Sequence, residues 1–424
     1  MAAMAATTAA VSPDDNGAIR VLVIAGSAFA GLTAIFYIWK MSWVAPFPRD
    51  GSTLVVGRDF LNFWMYGRAA WQPDPSRFYD PLLYNDALAA LLGPDYLGQN
   101  WSYPPSIMLL AAPFGRIGYD PALLCWTVLG LGLFIWVLRG QIRDQGRDDK
   151  RLLIAILFSP AAVFCLISGQ SSFVTAAMLL AIMALLDRKP VVAGLLIGLV
   201  TLKPQLGLLF PVILVASGRW RVFAVASITA LCLVGITTAL FGPQVWIDFV
   251  QKGLPAQNIV LSDPSLIGTP YYPTIFMNVR GTGASYAVAM AVQAVFSTGA
   301  IAAAFFVFRC RRDADPQLRN ALFFACSICA VPYLLSYDTL AVTCLAVMLL
   351  ASGKLDTLGQ TLAKLVYWLP LIQMIFGQYH IPGPALIVPA FASFLLMRIL
   401  KRPATAKRRP IIPPRSCFQR RADF

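Results

Sequence analysis

SFVTAAMLLAIMALLDRKPVVAGLLIGLVTLKPQLGLLFPVILVASGRWRVFAVASITALCLVGITTALF, residues 172–241, decides the fold class. Its only charged residues are Asp187, Arg188, Lys189, Lys203, Arg219 and Arg221. Everything between them is apolar or small, in runs of helical length, and a full bilayer crossing needs about 20 such residues. The same pattern extends in both directions. The chain of 424 residues is 58% hydrophobic and 13% charged, with a mean hydropathy of +0.67. A soluble domain carries about 25% charged residues. The composition therefore excludes a soluble globule, a disordered chain and a nucleic-acid-binding module. It predicts an all-α polytopic membrane protein.

Apolar stretches fall at about 20–40, 121–138, 152–168, 172–187, 191–202, 204–217, 222–241, 285–308, 320–335, 339–352, 364–379 and 384–400. The pair 191–202 and 204–217 reads either as two short helices meeting at Lys203 or as one helix broken at Pro204. Basic residues orient the spans. Arg139, Arg143, Arg147, Lys150 and Arg151 share one short loop, and Arg309, Arg311, Arg312 and Arg319 share another. Arg188 with Lys189, and Arg219 with Arg221, mark tight turns, and nine Lys or Arg follow from Arg398 onward. With all of these in the cytoplasm, about twelve transmembrane helices close with both termini inside. That side holds 25 basic residues and the other 9, a strong positive-inside asymmetry. The net charge of +14 is thereby read as topology and lipid-headgroup anchoring. Residues 1–19 read as a disordered cytoplasmic N-terminus, 20–400 as one membrane domain and 401–424 as a basic cytoplasmic tail.

Two outer loops, 41–120 and 242–284, are too long to be simple connections. The first contains FWMYGRAAW, FYDPLLYNDALAALLG and WSYPPSIMLLAAPFGRIGYD, which read as short amphipathic helices lying on the membrane surface. The segment 104–117 is kept interfacial, because a crossing there would put the basic loop 139–151 outside.

All 20 acidic residues are aspartate, and His380 is the sole histidine. A general base must therefore come from Asp or from His380, and no metal-ligand cluster or cofactor motif is expected. Of the eight cysteines, Cys326 and Cys329 lie in ALFFACSICAV and read as small core residues. The informative residues are polar groups at membrane depth. Arg58-Asp59, Tyr103, Gln170 with Ser171 and Ser172, Lys203 with Gln205, Tyr337-Asp338 and His380 all fall at or near the outer face. Each has a structural alternative. Asp59 can cap a surface helix, Asp338 can cap the helix starting at Thr339, and Gln170 and its serines can cap their neighbours. An ammonium at Lys203 needs a counter-charge, water or a lipid phosphate, or it can snorkel; phosphate is the first reading.

The order Gly57-Arg58-Asp59-Phe60, Phe78-Tyr79-Asp80-Pro81, Tyr103-Pro104-Pro105, Gly169-Gln170-Ser171-Ser172, Lys203-Pro204-Gln205 and Ser336-Tyr337-Asp338 resembles glycosyltransferase family 87. These are bacterial polyprenyl-phosphate-dependent enzymes of the GT-C superfamily, alpha-mannosyltransferase-like and formerly a domain of unknown function. The resemblance covers roughly residues 20–400. It implies a GT-C-type fold with outer-side amphipathic helices in the bacterial inner membrane. It also implies a polyprenyl-monophosphate sugar donor, often mannose, a lipid or glycan acceptor on the outer side, no bound metal, and Asp59 as catalytic base.

The residue inventory suits that chemistry. An inverting transfer needs one base to take the acceptor hydroxyl proton, and a cation to stabilise the departing phosphate. Lys203 is the first choice for the cation, with Arg58 and Arg280 behind it. Tyr103, Gln170, Gln205, Tyr337, Asp338 and His380 are the substrate-binding candidates. Trp64, Tyr66, Trp71, Trp101 and Tyr103, and the tandem Tyr271-Tyr272 of the second outer loop, read either as sugar-stacking faces or as an interfacial aromatic belt. The main competing reading is a multi-pass transporter or lipid-linked sugar flippase, for which a helix broken at Lys203-Pro204 would be apt. No matching break or repeat occurs in the second half. An envelope polymerase or ligase and a structural scaffold are the remaining alternatives.

Overall fold

The computed structural model describes residues 13–43, 47–96, 98–101, 103–144, 150–263 and 269–401. Residues 1–12 and 402–424, which carry most of the expected N-terminal and tail segments, lie outside the described residues. Among the described residues the chain is helical with isolated β-bridges only.

A first helix, α1 (Pro13–Lys40), begins earlier than the expected boundary near residue 20 and leads into the first long loop. There α2 (Arg58–Ala69), α3 (Pro81–Leu92) and the single turn α4 (Ile107–Ala111) form a layer of short helices. Asp80 starts α3 by accepting from the Leu82 and Leu83 amides, with Pro81 at the first position, where its missing N–H costs nothing. With five residues, α4 is far too short to cross.

The bundle continues with α5 (Tyr119–Asp144), α6 (Lys150–Leu157), α7 (Pro160–Ser168), α8 (Ser172–Leu185), α9 (Pro190–Val200), α10 (Phe210–Ser217) and α11 (Trp220–Phe241). The second long loop folds as α12 (Gln244–Asp248), a π-helical turn (Phe249–Gly253), α13 (Leu254–Ser262) and α14 (Ile275–Gly281). Then follow α15 (Tyr286–Cys310), α16 (Pro316–Cys329), α17 (Leu340–Ala351), α18 (Thr357–Gln378) and α19 (Ile387–Lys401).

The helices coincide with the apolar stretches, but twelve complete crossings are not shown. Among the described residues five helices are long and apolar enough to cross, α1, α5, α11, α15 and the last, and a sixth span results if α6 and α7, bent by 54°, count as one. The expected span 152–168 is thus broken at Ser159-Pro160, where the Ser159 hydroxyl accepts from the Ala162 amide. The pair of short helices is the form taken around Lys203. The 11 residues of α9 rise about 16 Å at 1.5 Å each, roughly half of a 30 Å hydrocarbon core. α9 buries one face only and leaves Val191, Val192 and Leu195 exposed, whereas the similarly short α17 is wrapped in protein. Every residue of α17 is buried, as expected of a helix apolar on all sides, and α17 packs against α1, α6, α8, α16 and α18.

Two cores result. An aliphatic core runs through the bundle and includes Cys326, Cys329 and Cys344. A separate aromatic core fills the layer of the first long loop. Trp64, Tyr66 and Trp101 are buried in it, with Tyr66 stacked on Trp101 at 3.5 Å between ring centroids. Neither a sugar platform nor an interfacial belt describes these three rings; they are the interior of that layer. Of the other first-loop aromatics, Trp71 is exposed, beneath the Arg116 guanidinium, and Tyr103 is half-buried with its hydroxyl on Gln170.

The bundle has two chemically distinct ends. At one, Arg188 pairs with Asp144, Arg219 with Asp187, Lys354 with Asp315 and Arg398 with Asp356. This end gathers the basic turns that the sequence placed together. From it, α9 runs to Lys203 at the opposite end; α8 runs back from Ser172 and α17 from Asp338.

Candidate active site

At that opposite end, breaks between helices bring distant residues together. Gly57 precedes α2 with φ 70, and Gly169 ends α7 with φ 63, conformations that a β-carbon disfavours. The two glycines also meet. A β-carbon built on Gly169 would lie 2.8 Å from the Phe60 Cβ and 3.2 Å from the Gly57 Cα. One helix, α5, holds both turns. Tyr119 donates to the carbonyls of Val56 and Gly57 at 2.7 and 3.0 Å, and the Trp126 indole donates to that of Gly169 at 3.1 Å. This clamp sets Asp59 against Gln170. Tyr119 and Trp126 were not legible as site residues, since an indole N–H aimed at a turn has the same sequence signature as one that merely packs.

Gln170 is the hub. It is buried; its amide nitrogen lies 2.9 Å from the Tyr337 hydroxyl and 3.4 Å from Asp59 Oδ2. Its carbonyl oxygen accepts from Tyr103 at 3.0 Å and from the Ser171 amide and hydroxyl at 2.8 and 3.0 Å. With the amide committed at both ends, its orientation is fixed. Tyr103 is held in turn by Tyr66 and Tyr79, whose hydroxyls donate to its carbonyl at 2.9 and 3.0 Å.

Asp59 does not cap its helix. No side-chain cap forms at the start of α2, and the half-buried carboxylate faces Gln170 and Tyr337 instead. Burial pushes its carboxyl above the ordinary value, while Arg58, the Tyr337 hydrogen bond, Lys203 and Gln170 pull the other way. Asp338 is likewise no cap. Its Oδ1 accepts from Ser172 at 2.7 Å and from the Lys203 ammonium at 2.6 Å, and that ammonium lies 5.4 Å from the Tyr337 ring centroid. The Lys203 and Asp338 side chains are 6% and 1% exposed. Burial of two charges at this depth is tolerable only as a hydrogen-bonded pair.

The cations divide. Lys203 is engaged with Asp338. Arg58 is half-buried, with its guanidinium 5.6 Å from the Tyr271 ring centroid, and among the described residues no carboxylate lies within ion-pair distance of it. Arg280 is buried elsewhere, donating to the carbonyls of Ala284 and Ser262 at 2.6 Å each. Gln205 is half-buried in the 3₁₀ turn after Lys203, and His380 is exposed past the end of α18 with φ 55. The second long loop closes over the same end. Ser336 donates to the Tyr271 carbonyl at 3.0 Å, Thr274 to that of Pro332 at 2.8 Å, and Ser76 of the first loop to Asp248 at 2.6 Å.

The arrangement is a carboxylate in a partly desolvated polar nest, with its amide and phenol partners fixed and a guanidinium beside it. Such a group can take a proton from a bound hydroxyl. No curated protein and no solved structure matches the chain. The sequence model of glycosyltransferase family 87 matches residues 101–336, more than half of the chain. The match includes Tyr103, Gln170 and Lys203. Asp59, Tyr337 and Asp338 lie outside it but are tied to those residues by the contacts above. A helical membrane bundle, its polar nest and this match agree: the chain belongs to glycosyltransferase family 87 and is a membrane glycosyltransferase.

Proposed function

We propose that this enzyme transfers a hexose, mannose foremost, from a polyprenyl-monophosphate donor to a lipid or glycan acceptor on the outer face of the bacterial inner membrane, with inversion and with Asp59 as base. The observation that carries the reading is the convergence of Asp59, Gln170 and Tyr337 at the end of the bundle opposite the basic turns. Basic turns favour the cytoplasmic side, so the nest opens to the outer one. A donor with a membrane-embedded prenyl tail would present its phosphate at that level.

In one displacement the acceptor oxygen attacks the anomeric carbon and the bond from that carbon to the phosphate oxygen breaks. The electron pair leaves with the polyprenyl monophosphate, and the acceptor proton passes to Asp59. A fixed Gln170 and Tyr337 hold the carboxylate in place without reorganisation during the step. Arg58 takes precedence over Lys203 as the cation facing the departing phosphate, because Lys203 already neutralises Asp338. Arg280 serves the second loop, and Gln205 and His380 remain candidates for acceptor contact.

The test is transfer by purified protein in nanodiscs, with radiolabelled polyprenyl-phosphate mannose and a membrane-lipid extract, wild type beside Asp59→Asn. A positioned base contributes about 10²–10⁴-fold, and the variant should lose that much while still binding donor. Full activity in Asp59→Asn would remove the base. The pH profile sharpens the test. A carboxyl held above its usual value of about 3.9 must ionise before it can accept a proton, so kcat/KM should fall on acidification at a pH above that value. Arg58→Gln removes a neighbour that favours the ionised form, so it should move that limb further up and weaken donor binding.

A further inference from the structure

We propose that Lys203 and Asp338 form a buried strut that positions Tyr337 and Gln170 against Asp59, so that Lys203 is a positioning residue and not the cation for the donor's phosphate. This rests on the reading of Asp59 as base.

Lys203 sits between α9 and α10, Asp338 in the 3₁₀ turn (Ser336–Thr339) that leads into the fully buried α17, and Ser172 at the start of α8. Asp338 Oδ1 accepts from both Lys203 and Ser172. Three separate breaks in the bundle are therefore pinned on one oxygen. The neighbour of Asp338 is Tyr337, whose hydroxyl meets Gln170 and faces Asp59, and whose ring lies beside the Lys203 ammonium. The neighbours of Ser172 are Ser171 and Gln170. The pins thus sit one and two residues from the two groups that hold the base. An ammonium about as hidden as its partner, at 6% exposure against 1%, has little surface to offer a phosphate, and leaving Asp338 to bind one would orphan a buried carboxylate. A positioning pair should also be insensitive to salt, because buried pairs are screened little.

The experiment compares Lys203→Met, Asp338→Leu, their double variant and Ser172→Ala in nanodiscs. Binding of a synthetic polyprenyl monophosphate is measured separately from kcat and from the pH profile. A displacement of the site by about 1 Å can lower the rate by about 10²-fold, so each charge variant should lose kcat on that scale, with phosphate affinity unchanged within about twofold. The double variant leaves no orphan charge, and coupled residues are non-additive; it should recover about tenfold in kcat over either single. The acid limb should shift in both singles, as Tyr337 and Gln170 let go of Asp59. If Lys203→Met instead weakens phosphate binding tenfold or more while Asp338→Leu does not, the strut is wrong and Lys203 is the phosphate's cation. Should a charge variant fail to fold, Ser172→Ala keeps the ion pair and decides alone. A loss of kcat of about threefold with a shifted pH profile and normal phosphate affinity supports the strut, on the scale of one net hydrogen bond; an unchanged kcat and profile overturns it. Asp59→Asn run in parallel separates the two ideas, since its survival would remove the base without altering what phosphate binding says about Lys203.

Discussion

Two ion pairs bracket α9. Arg188 before it meets Asp144 at 2.7 Å, and Lys203 after it meets Asp338 at 2.6 Å. The geometry is nearly the same, but the surroundings are not. The first pair is 69% and 52% exposed, the second 6% and 1%. Unit charges 4 Å apart attract by about 1 kcal/mol in water and about 4 kcal/mol at the effective dielectric of a protein. The exposed pair gives up little hydration and gains little; the buried one gives up much and must regain it through attraction and the Ser172 hydrogen bond. At one end of the helix the charges meet in the open, and at the other they are hidden beside the Tyr337 ring and Ser172.

The largest effect should come from breaking the buried pair one-sidedly. Asp338→Ala leaves Lys203 charged and without its partner, which costs about 3–5 kcal/mol in buried pairs of this kind. The expected result is a marked loss of thermal stability in detergent. A melting temperature within error of wild type would mean that Lys203 finds water or another partner, and that the site end is no drier than the basic end.

The next effect is smaller and concerns the contact between Gly57 and Gly169. Gly169→Ala introduces a β-carbon at φ 63, within 2.8 Å of the Phe60 Cβ. Overpacking and an unfavourable backbone region together cost about 1–3 kcal/mol. Because Gly169 precedes Gln170 and touches Gly57, activity should fall further than stability. Comparing kcat with the melting temperature checks this; a variant that loses stability alone would show that the Gly57–Gly169 contact does not set the Asp59–Gln170 geometry.

What the sequence made legible follows from the same contrast. Asp59, Gln170, Lys203 and Asp338 stood out because a polar group in an apolar run must be satisfied by something, and all fell at helix breaks on one side. The helices themselves were visible as apolar runs of the right length. Their depth was not: α17 is short and wholly enclosed, and enclosure is a tertiary property. The ion pair of Lys203 with Asp338 is not visible in the sequence, because the two lie far apart along the chain and no local pattern links them. The rings of Trp64, Tyr66 and Trp101 looked available for a sugar, since a surface layer with its own aromatic core has the same composition as a platform. Tyr119 and Trp126 gave no signal, because what they do lies in three hydrogen bonds to backbone carbonyls of other segments.

The smallest effect serves as the counterpart to the first. Arg188→Ala removes a cation from a pair open to solvent, and exposed pairs contribute about 0–1 kcal/mol. Nothing buried is orphaned, since Asp144 can be hydrated at 52% exposure. The melting temperature should move little, and 0.5 M salt should erase the difference, because the screening length is already near 10 Å at 0.1 M. The loss in Asp338→Ala should persist at that salt. Topology supplies an independent reading. Arg188 and Lys189 share one turn, and positive residues in short loops set orientation collectively, so a single substitution should leave insertion unchanged, as cysteine accessibility from either side would report. Equal losses from Arg188→Ala and Asp338→Ala would abolish the distinction between the ends, because the same removal of one charge would then cost as much in water as in the nest around Asp59.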